Sequence, residues 1–162
     1  MNVIPEVLGV SHFNVLPHLV AMTVAYLLAL PIGWNREKEE RSAGLRTFPL
    51  VAIASCGFIQ AAEGITTDSP EAMARIVEGI ITGMGFIGGG AILHLKDSVR
   101  GTATAASLWV TGAIGVAVGL GNADVAVMLA ASGFVTLYLL APLKKTIIGE
   151  AEVDADRVGP RE

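Results

Sequence analysis

Three places in this chain carry residue types with chemical potential. The first is Gly83-Met84-Gly85-Phe86-Ile87-Gly88, which matches GxGxxG letter for letter. As a dinucleotide-binding turn, that pattern needs a strand before it, a soluble helix after it and an acid about 20 residues on. Here it lies inside an uncharged apolar run and continues into Gly89, Gly90 and Ala91. It therefore reads as packing sequence, and no cofactor is expected. The second place is Glu78, the acid set deepest in an apolar stretch. An ionisable group within a membrane span is a functional candidate by default. Arg75, however, lies one turn earlier on the same helical face and supplies a local ion-pair partner. With His18 and His94 near segment ends and no second mid-span carboxylate, the pair falls short of a proton relay.

The third place is a set of polar residues that the order of the segments brings to one end: Arg36, Glu37, Arg46, Thr47, Arg100, Thr102 and Thr104. Arg36/Glu40 and Glu37/Arg41 stand at i,i+4, the spacing of helical ion pairs. Glu37 and Asp97 are carboxylates of the kind that hold a hydrated Mg²⁺, yet their spacing is no ligand signature. There is no Cys/His ligand cluster and no nucleophile placed beside a histidine. Neither a metal site nor a catalytic residue is expected.

What must position these residues follows from composition. Of 162 residues, 52% are apolar and 16% charged, with mean hydropathy +0.61; soluble domains carry about 25% charge. Residues 7–35, 47–62, 79–95, 101–123 and 125–143 hold no Asp, Glu, Lys or Arg. A helix crosses the hydrocarbon core with roughly 20 apolar residues, so the chain reads as an all-α integral membrane protein with five transmembrane helices. Expected spans are about 17–34, 45–62, 74–95, 102–120 and 125–143, forming one domain over 1–143. Residues 144–162 form a short tail, too polar to bury a core and expected to be frayed or disordered. Ser69-Pro70-Glu71 has the order of an N-cap, a first-turn proline and a dipole-matched acid, and residues 121–124 form a turn. A soluble enzyme, a nucleic-acid binder and a disulfide-stapled secreted domain are all excluded; Cys56 is the only cysteine. The lack of Lys or Arg in residues 1–12 reads against a cleavable signal peptide.

Orientation follows from the basic residues. If the spans alternate, Arg36, Lys38, Arg41, Arg46, Lys96, Arg100, Lys144, Lys145, Arg157 and Arg161 share one side, and only Arg75 lies opposite. The positive-inside rule makes that side cytoplasmic, with the N-terminus outside and the C-terminus inside. Gly79/Gly83 and Gly85/Gly89 are GxxxG pairs, and Thr111, Gly115 and Gly119 repeat the four-residue spacing. Small residues at that spacing let helix backbones approach closely. The third and fourth helices are thus expected to pack on each other or on a partner. Gly88-Gly89-Gly90 would weaken a helix by about 1 kcal/mol per residue; besides the packing reading, they offer as the alternative a local break that would have to line a cavity or site.

Several segments together resemble a known family. Gly33-Trp34-Asn35-Arg36-Glu37 followed by Ala43-Gly44-Leu45-Arg46-Thr47 is similar to the GxERE…AGLRT signature of MgtC/SapB membrane proteins. Thr82 through Ile92 resembles their TGIGFLGAGxI segment. Val99 through Ala106 with Trp109 resembles the VRGLTTAAxxW run, and Gly115 through Gly121 the IGxxxGxG ending. The resemblance covers about residues 16–142. It implies a multi-pass protein of the bacterial inner membrane, non-enzymatic, linked to magnesium homeostasis at low Mg²⁺, to acid stress and to virulence through survival in macrophages. Some members are understood to restrain the ATP synthase through its membrane sector. Motif residues carried over by position are Arg36, Glu37, Arg46, Thr47, Gly83, Gly85, Arg100, Thr104 and Trp109, with Gly88 and Gly89 in the same glycine run. Asn35 stands where the family usually has an acid. The tail is shorter than in members with a soluble C-terminal domain, so the short, SapB-like form is the expected comparison.

The expected function is a membrane regulator acting by helix–helix contact with another inner-membrane protein, possible homo-oligomers included. The alternative is an oligomeric ion or small-solute channel or carrier, with the glycine-rich third helix lining the path and Glu78 at its outer mouth.

Overall fold

The structure is a computed structural model. It describes residues 15–39, 43–67, 69–95 and 98–157, with 95, 98 and 141–157 described in backbone only. Five helices follow one another: α1 (Val15–Glu39), α2 (Thr47–Thr66), α3 (Pro70–Gly90), α4 (Thr102–Gly119) and α5 (Ala123–Arg157). All five are long and apolar enough to cross a membrane, α5 over Ala123–Leu140. Between α3 and α4 stands a small antiparallel hairpin, β1 (Leu93–Leu95) and β2 (Ser98–Arg100). The chain is a multi-pass membrane protein.

The helix ends are written in the sequence. Ser69 caps α3 by accepting from the Ala72 amide at 3.3 Å, with Pro70 in the first turn and Glu71 behind it. The α4–α5 turn is a Schellman motif. Gly121 has φ +80°, its N–H donates to Val118 O at 3.0 Å, and Asn122 N–H donates to Ala117 O at 2.8 Å. Hydroxyls within the spans close onto their own helix: Thr111 donates to Ser107 O at 2.8 Å and Thr66 to Ala62 O at 2.8 Å. In hydrocarbon there is no water to take those protons.

α4 is the hub and touches the other four helices. Ten of its residues are buried, against two in α3. The core joins Ala25, Ala29 and Ile32 of α1 to Phe48, Ala52 and Cys56 of α2, with Leu108, Ile114 and Val118 of α4 between them. α2 and α4 run parallel at very close range. The Cβ that Gly115 lacks would fall on the Ala52 carbonyl, and that of Gly119 within 2.7 Å of Ile59 Cβ.

Several expectations change here, although the third and fourth helices do pack on each other. The glycine stripe of the fourth helix serves α2, whereas α3 meets α4 through Met84 and Gly88. The space of a Gly112 Cβ is taken by the Met84 thioether, and a Gly88 Cβ would lie 3.6 Å from Ala105 O. The third helix also ends at Gly90, five residues before the expected boundary. Gly88–Gly90 form its last turn and no interior break, because Ala91 N–H bonds back to Ile87 O and Gly88 O at 3.1 Å. Glycine's low helix propensity sets the stop, and the following apolar-polar alternation pairs as strands. α5 continues in helical backbone through 144–157, within the segment expected as a tail. Residues Asn14, Glu40, Arg41, Lys96 and Asp97 lie outside the described residues.

Candidate functional site

The two arms of the first motif interlock. Gly33, near the end of α1, lies against the turn before α2: its Cβ would meet Gly44 O at 3.3 Å and Leu45 Cα at 3.4 Å. One turn on, Glu37 Oε2 accepts from the Leu45 amide at 3.0 Å. That amide precedes the start of α2, where Arg46 occupies the N-cap position without a side-chain cap. A carboxylate there satisfies a free donor and faces the positive end of the helix. Gly44 is small for the same reason, since a Cβ on it would overlap the Glu37 carboxylate. Spacing alone offered Arg41 as the partner of Glu37; its observed bond is to a backbone amide eight residues away.

Arg36 is 5% exposed. Its Nε and Nη2 donate to Asn35 Oδ1 at 3.2 and 2.8 Å. The amide oxygen thus serves Arg36 where the resembling family would place a carboxylate, with a dipole in place of a full charge. Thr104, in the first turn of α4, is fully buried. Thr47 opens α2 half-buried, and Arg46 and Arg100 are exposed. Trp34 and Lys38 flank this end on the outside, with Lys38 Nζ 5.3 Å from the ring centroid, an arrangement suited to an interface. Gly101 closes the end. Its φ is +87°, and the position of a Cβ is occupied by the Ala91 carbonyl. Gly33, Gly44 and Gly101 are the structural residues that a search for chemical groups passes over; the only signal for them in one sequence is glycine beside a motif.

The third-helix candidates separate into two sets. Gly88 is buried against Ala105 and the edge of Trp109, whose Cδ1 would lie 3.7 Å from its Cβ. Among the described residues, none places an atom within 4 Å of a Cβ position at Gly79, Gly83, Gly85, Gly89 or Gly90. Phe86 beside them is 86% exposed. Arg75 and Glu78 are exposed on the same helix, without an ion pair to each other. Glu78 lies toward the end of α3 remote from the Arg36 cluster, and Thr82 above it donates to the Glu78 carbonyl at 2.9 Å.

A cleft of about 310 Å³ opens between α1, α4 and α5, lined by Ile32, Ala103, Ser107, Val110, Ser132 and Thr136 among others. Ser107 donates to Ala103 O at 2.6 Å and Ser132 to Leu129 O at 3.2 Å. These hydroxyls serve their own helices, and no charged side chain lines the cleft. Among the described residues no three His, Cys, Asp or Glu side chains come together as a metal-binding group. The arrangement is thus a polar junction at the basic end, where exposed Glu37 ties α1 to the turn before α2 beside the buried Arg36, and a side of α3 that the described residues leave uncovered.

Comparison with known proteins agrees with this architecture. The MgtC family profile matches residues 22–146. The chain is 42% identical over 106 residues to Protein MgtC of Salmonella typhimurium, covering 65% of this chain and 45% of that protein. It is 35% identical over 137 residues to Protein MgtC of Brucella abortus, covering 83% and 54%. With Protein SrpB of Synechococcus elongatus it shares 34% identity over 143 residues, 77% of this chain and 79% of the relative. The chain thus spans about half the length of the MgtC relatives, and no solved structure matches it. Five apolar helices in order, the interlocked Gly33–Glu37 and Ala43–Thr47 segments and a profile match over most of the chain make it a member of the MgtC family.

Proposed function

We propose that this chain is a non-enzymatic regulator in a bacterial inner membrane, acting by docking α3 against a helix of another membrane protein. In this reading the N-terminus lies outside, the basic end of the bundle faces the cytoplasm, and the role belongs to adaptation to low magnesium or acid stress. The observation that carries it is the exposed side of α3, where Gly79, Gly83 and Gly90 on one stripe and Gly85 and Gly89 on another have no atom of the described residues within 4 Å of a Cβ position. Glycine in a helix interior costs about 0.5–1 kcal/mol relative to alanine. Four of these five positions repeat GxxxG spacing. Close backbone approach by a second helix is what such a surface accommodates. The bond from the Leu45 amide to Glu37, with Gly33 close against Gly44, holds the end of α1 to the start of α2.

The membrane sector of the ATP synthase is the proposed partner, on the strength of the family resemblance. The test is ATP-driven proton pumping in inverted inner-membrane vesicles, with and without this protein at matched ATP synthase content. Inhibition that disappears in Gly83→Leu or Gly85→Leu, with co-purification lost in parallel, supports the reading and locates the surface. Unchanged pumping at comparable expression removes this partner.

A further inference from the structure

The cleft between α1, α4 and α5 is a slot that runs along the helix axes. Its lining extends from Ala103 to Val110 on α4 and from Ser132 to Leu137 on α5, with Ile32 of α1 behind. At 1.5 Å per residue the α4 side is about 10 Å long. With a volume of about 310 Å³, that length leaves a cross-section of roughly 30 Å², about 6 Å across. One end is pinched, since a Cβ on Gly133 would lie 3.1 Å from Val110 Cγ1 and 3.4 Å from Ile32 Cδ1. α4 and α5 run antiparallel from the Gly121 turn, so the other end, at Ala103 and Leu137, points to the basic end of the bundle. Arg100, exposed, stands three residues before Ala103. Ile32 and Ser107 are buried at the floor, whereas Ala106, Ser132 and Thr136 are exposed along the rim. The slot therefore opens sideways, within helices long and apolar enough to cross a membrane.

Its dimensions select the occupant. A helix with its side chains is about 10–12 Å across and cannot enter. One side chain projecting from a partner would fill a single level and leave the rest void, and a void forfeits dispersion contacts. An extended alkyl chain is about as wide as two carbon atoms in contact are apart, roughly 4 Å, and fills the slot along its length. A methylene takes about the volume of a water molecule, ~30 Å³, so about ten fit. The lining agrees: no charged side chain is in it, and Ser107 and Ser132 donate to carbonyls of their own helices at 2.6 and 3.2 Å. The bilayer around the helices supplies such chains, and a cation at the open end complements a lipid phosphate. We propose that the slot between α1, α4 and α5 is a lipid site holding one acyl chain of an anionic phospholipid, with its headgroup beside Arg100 and the chain directed toward Gly133. α3 contributes nothing to the lining, so this site is independent of the docking reading.

Photolabelling in bilayers of phosphatidylethanolamine and phosphatidylglycerol tests this, with a phosphatidylglycerol carrying a diazirine in one acyl chain as the probe. We expect adducts on residues 103–110 and 132–137 several-fold above those around Phe58, which is 60% exposed on α2 and reports ordinary bilayer contact. We also expect one phospholipid per chain to survive detergent washing in native mass spectrometry. Ala106→Phe and Thr136→Phe fill the slot from its exposed rim, and each should lower both signals several-fold while the circular dichroism spectrum is kept. Labelling no stronger than around Phe58 overturns the inference. So does label at Phe58 with none in the two segments, which means that a partner, a second copy or another segment of this chain covers the slot. Full labelling in both filled variants overturns it as well. Arg100→Gln should lower the retained phosphatidylglycerol several-fold, and no change there overturns the headgroup placement.

Discussion

α3 and α4 are both glycine-rich, and their glycines do opposite things. On α4, Gly112, Gly115 and Gly119 are filled from outside by Met84, by Ala52 and Ser55, and by Ile59 with the Cys56 carbonyl. On α3, five glycines face open space and Gly88 alone is in contact. α4 buries ten residues and α3 two. The two helices are alike in composition, so the difference lies in neighbours. α4 stands in the centre and uses the missing side chains to bring α2 close; α3 stands to one side, and among the described residues nothing adjoins its exposed glycines. GxxxG spacing therefore signals close approach without saying which helix approaches.

This contrast can be broken at graded cost. The largest effect is expected from Gly115→Leu, whose Cβ overlaps the Ala52 carbonyl; overpacking of a core costs 1–3 kcal/mol or more. Because the obstacle is backbone, we expect loss of the monodisperse species in detergent size exclusion, and a normal profile would contradict the α2–α4 contact. Gly101→Ala comes next, with about 1–2 kcal/mol from the left-handed backbone alone and the Ala91 carbonyl in the way. A lowered unfolding midpoint in denaturant titration checks it. Gly83→Leu and Gly85→Leu should leave the isolated chain folded and inserted, because nothing adjoins those positions, while abolishing the proposed regulation. Glu37→Ala should cost about 1 kcal/mol, the scale of one hydrogen bond, and Glu37→Gln less, because the amide oxygen still accepts from Leu45. Smallest and opposite in sign, Gly85→Ala should stabilise the isolated chain by about 0.5–1 kcal/mol. Destabilisation there would show that the face is already occupied.

Much of this was legible before the fold. Charge-free runs, the Ser69-Pro70-Glu71 cap and the Gly121 turn are local signals, and local backbone energetics resolves them. The end of α3 was not, because Ile92-Leu93-His94-Leu95 continues an apolar run and hides a strand alternation of only three residues. The Leu45 contact of Glu37 escaped for another reason: helical periodicity looks only along α1, to Arg41 outside the described residues, while the turn before α2 returns the Leu45 amide to the carboxylate. Motif residues were found as a set, while their division into buried or bonded (Arg36, Thr104, Glu37) and uncovered (Gly83, Gly85, Gly89) was not.

The sequence by itself determined five helices long and apolar enough to cross a membrane, their order and two of their ends, at Ser69 and Gly121, since span length, charge exclusion and capping depend on residues near each other in the chain. Only the tertiary structure decided which glycines are filled, why Gly44 and Gly101 have no side chain, and which helix is left at the edge. Those outcomes depend on backbones distant in the chain arriving at van der Waals distance, and a missing Cβ is identical in sequence whether a neighbour or the bilayer fills its place.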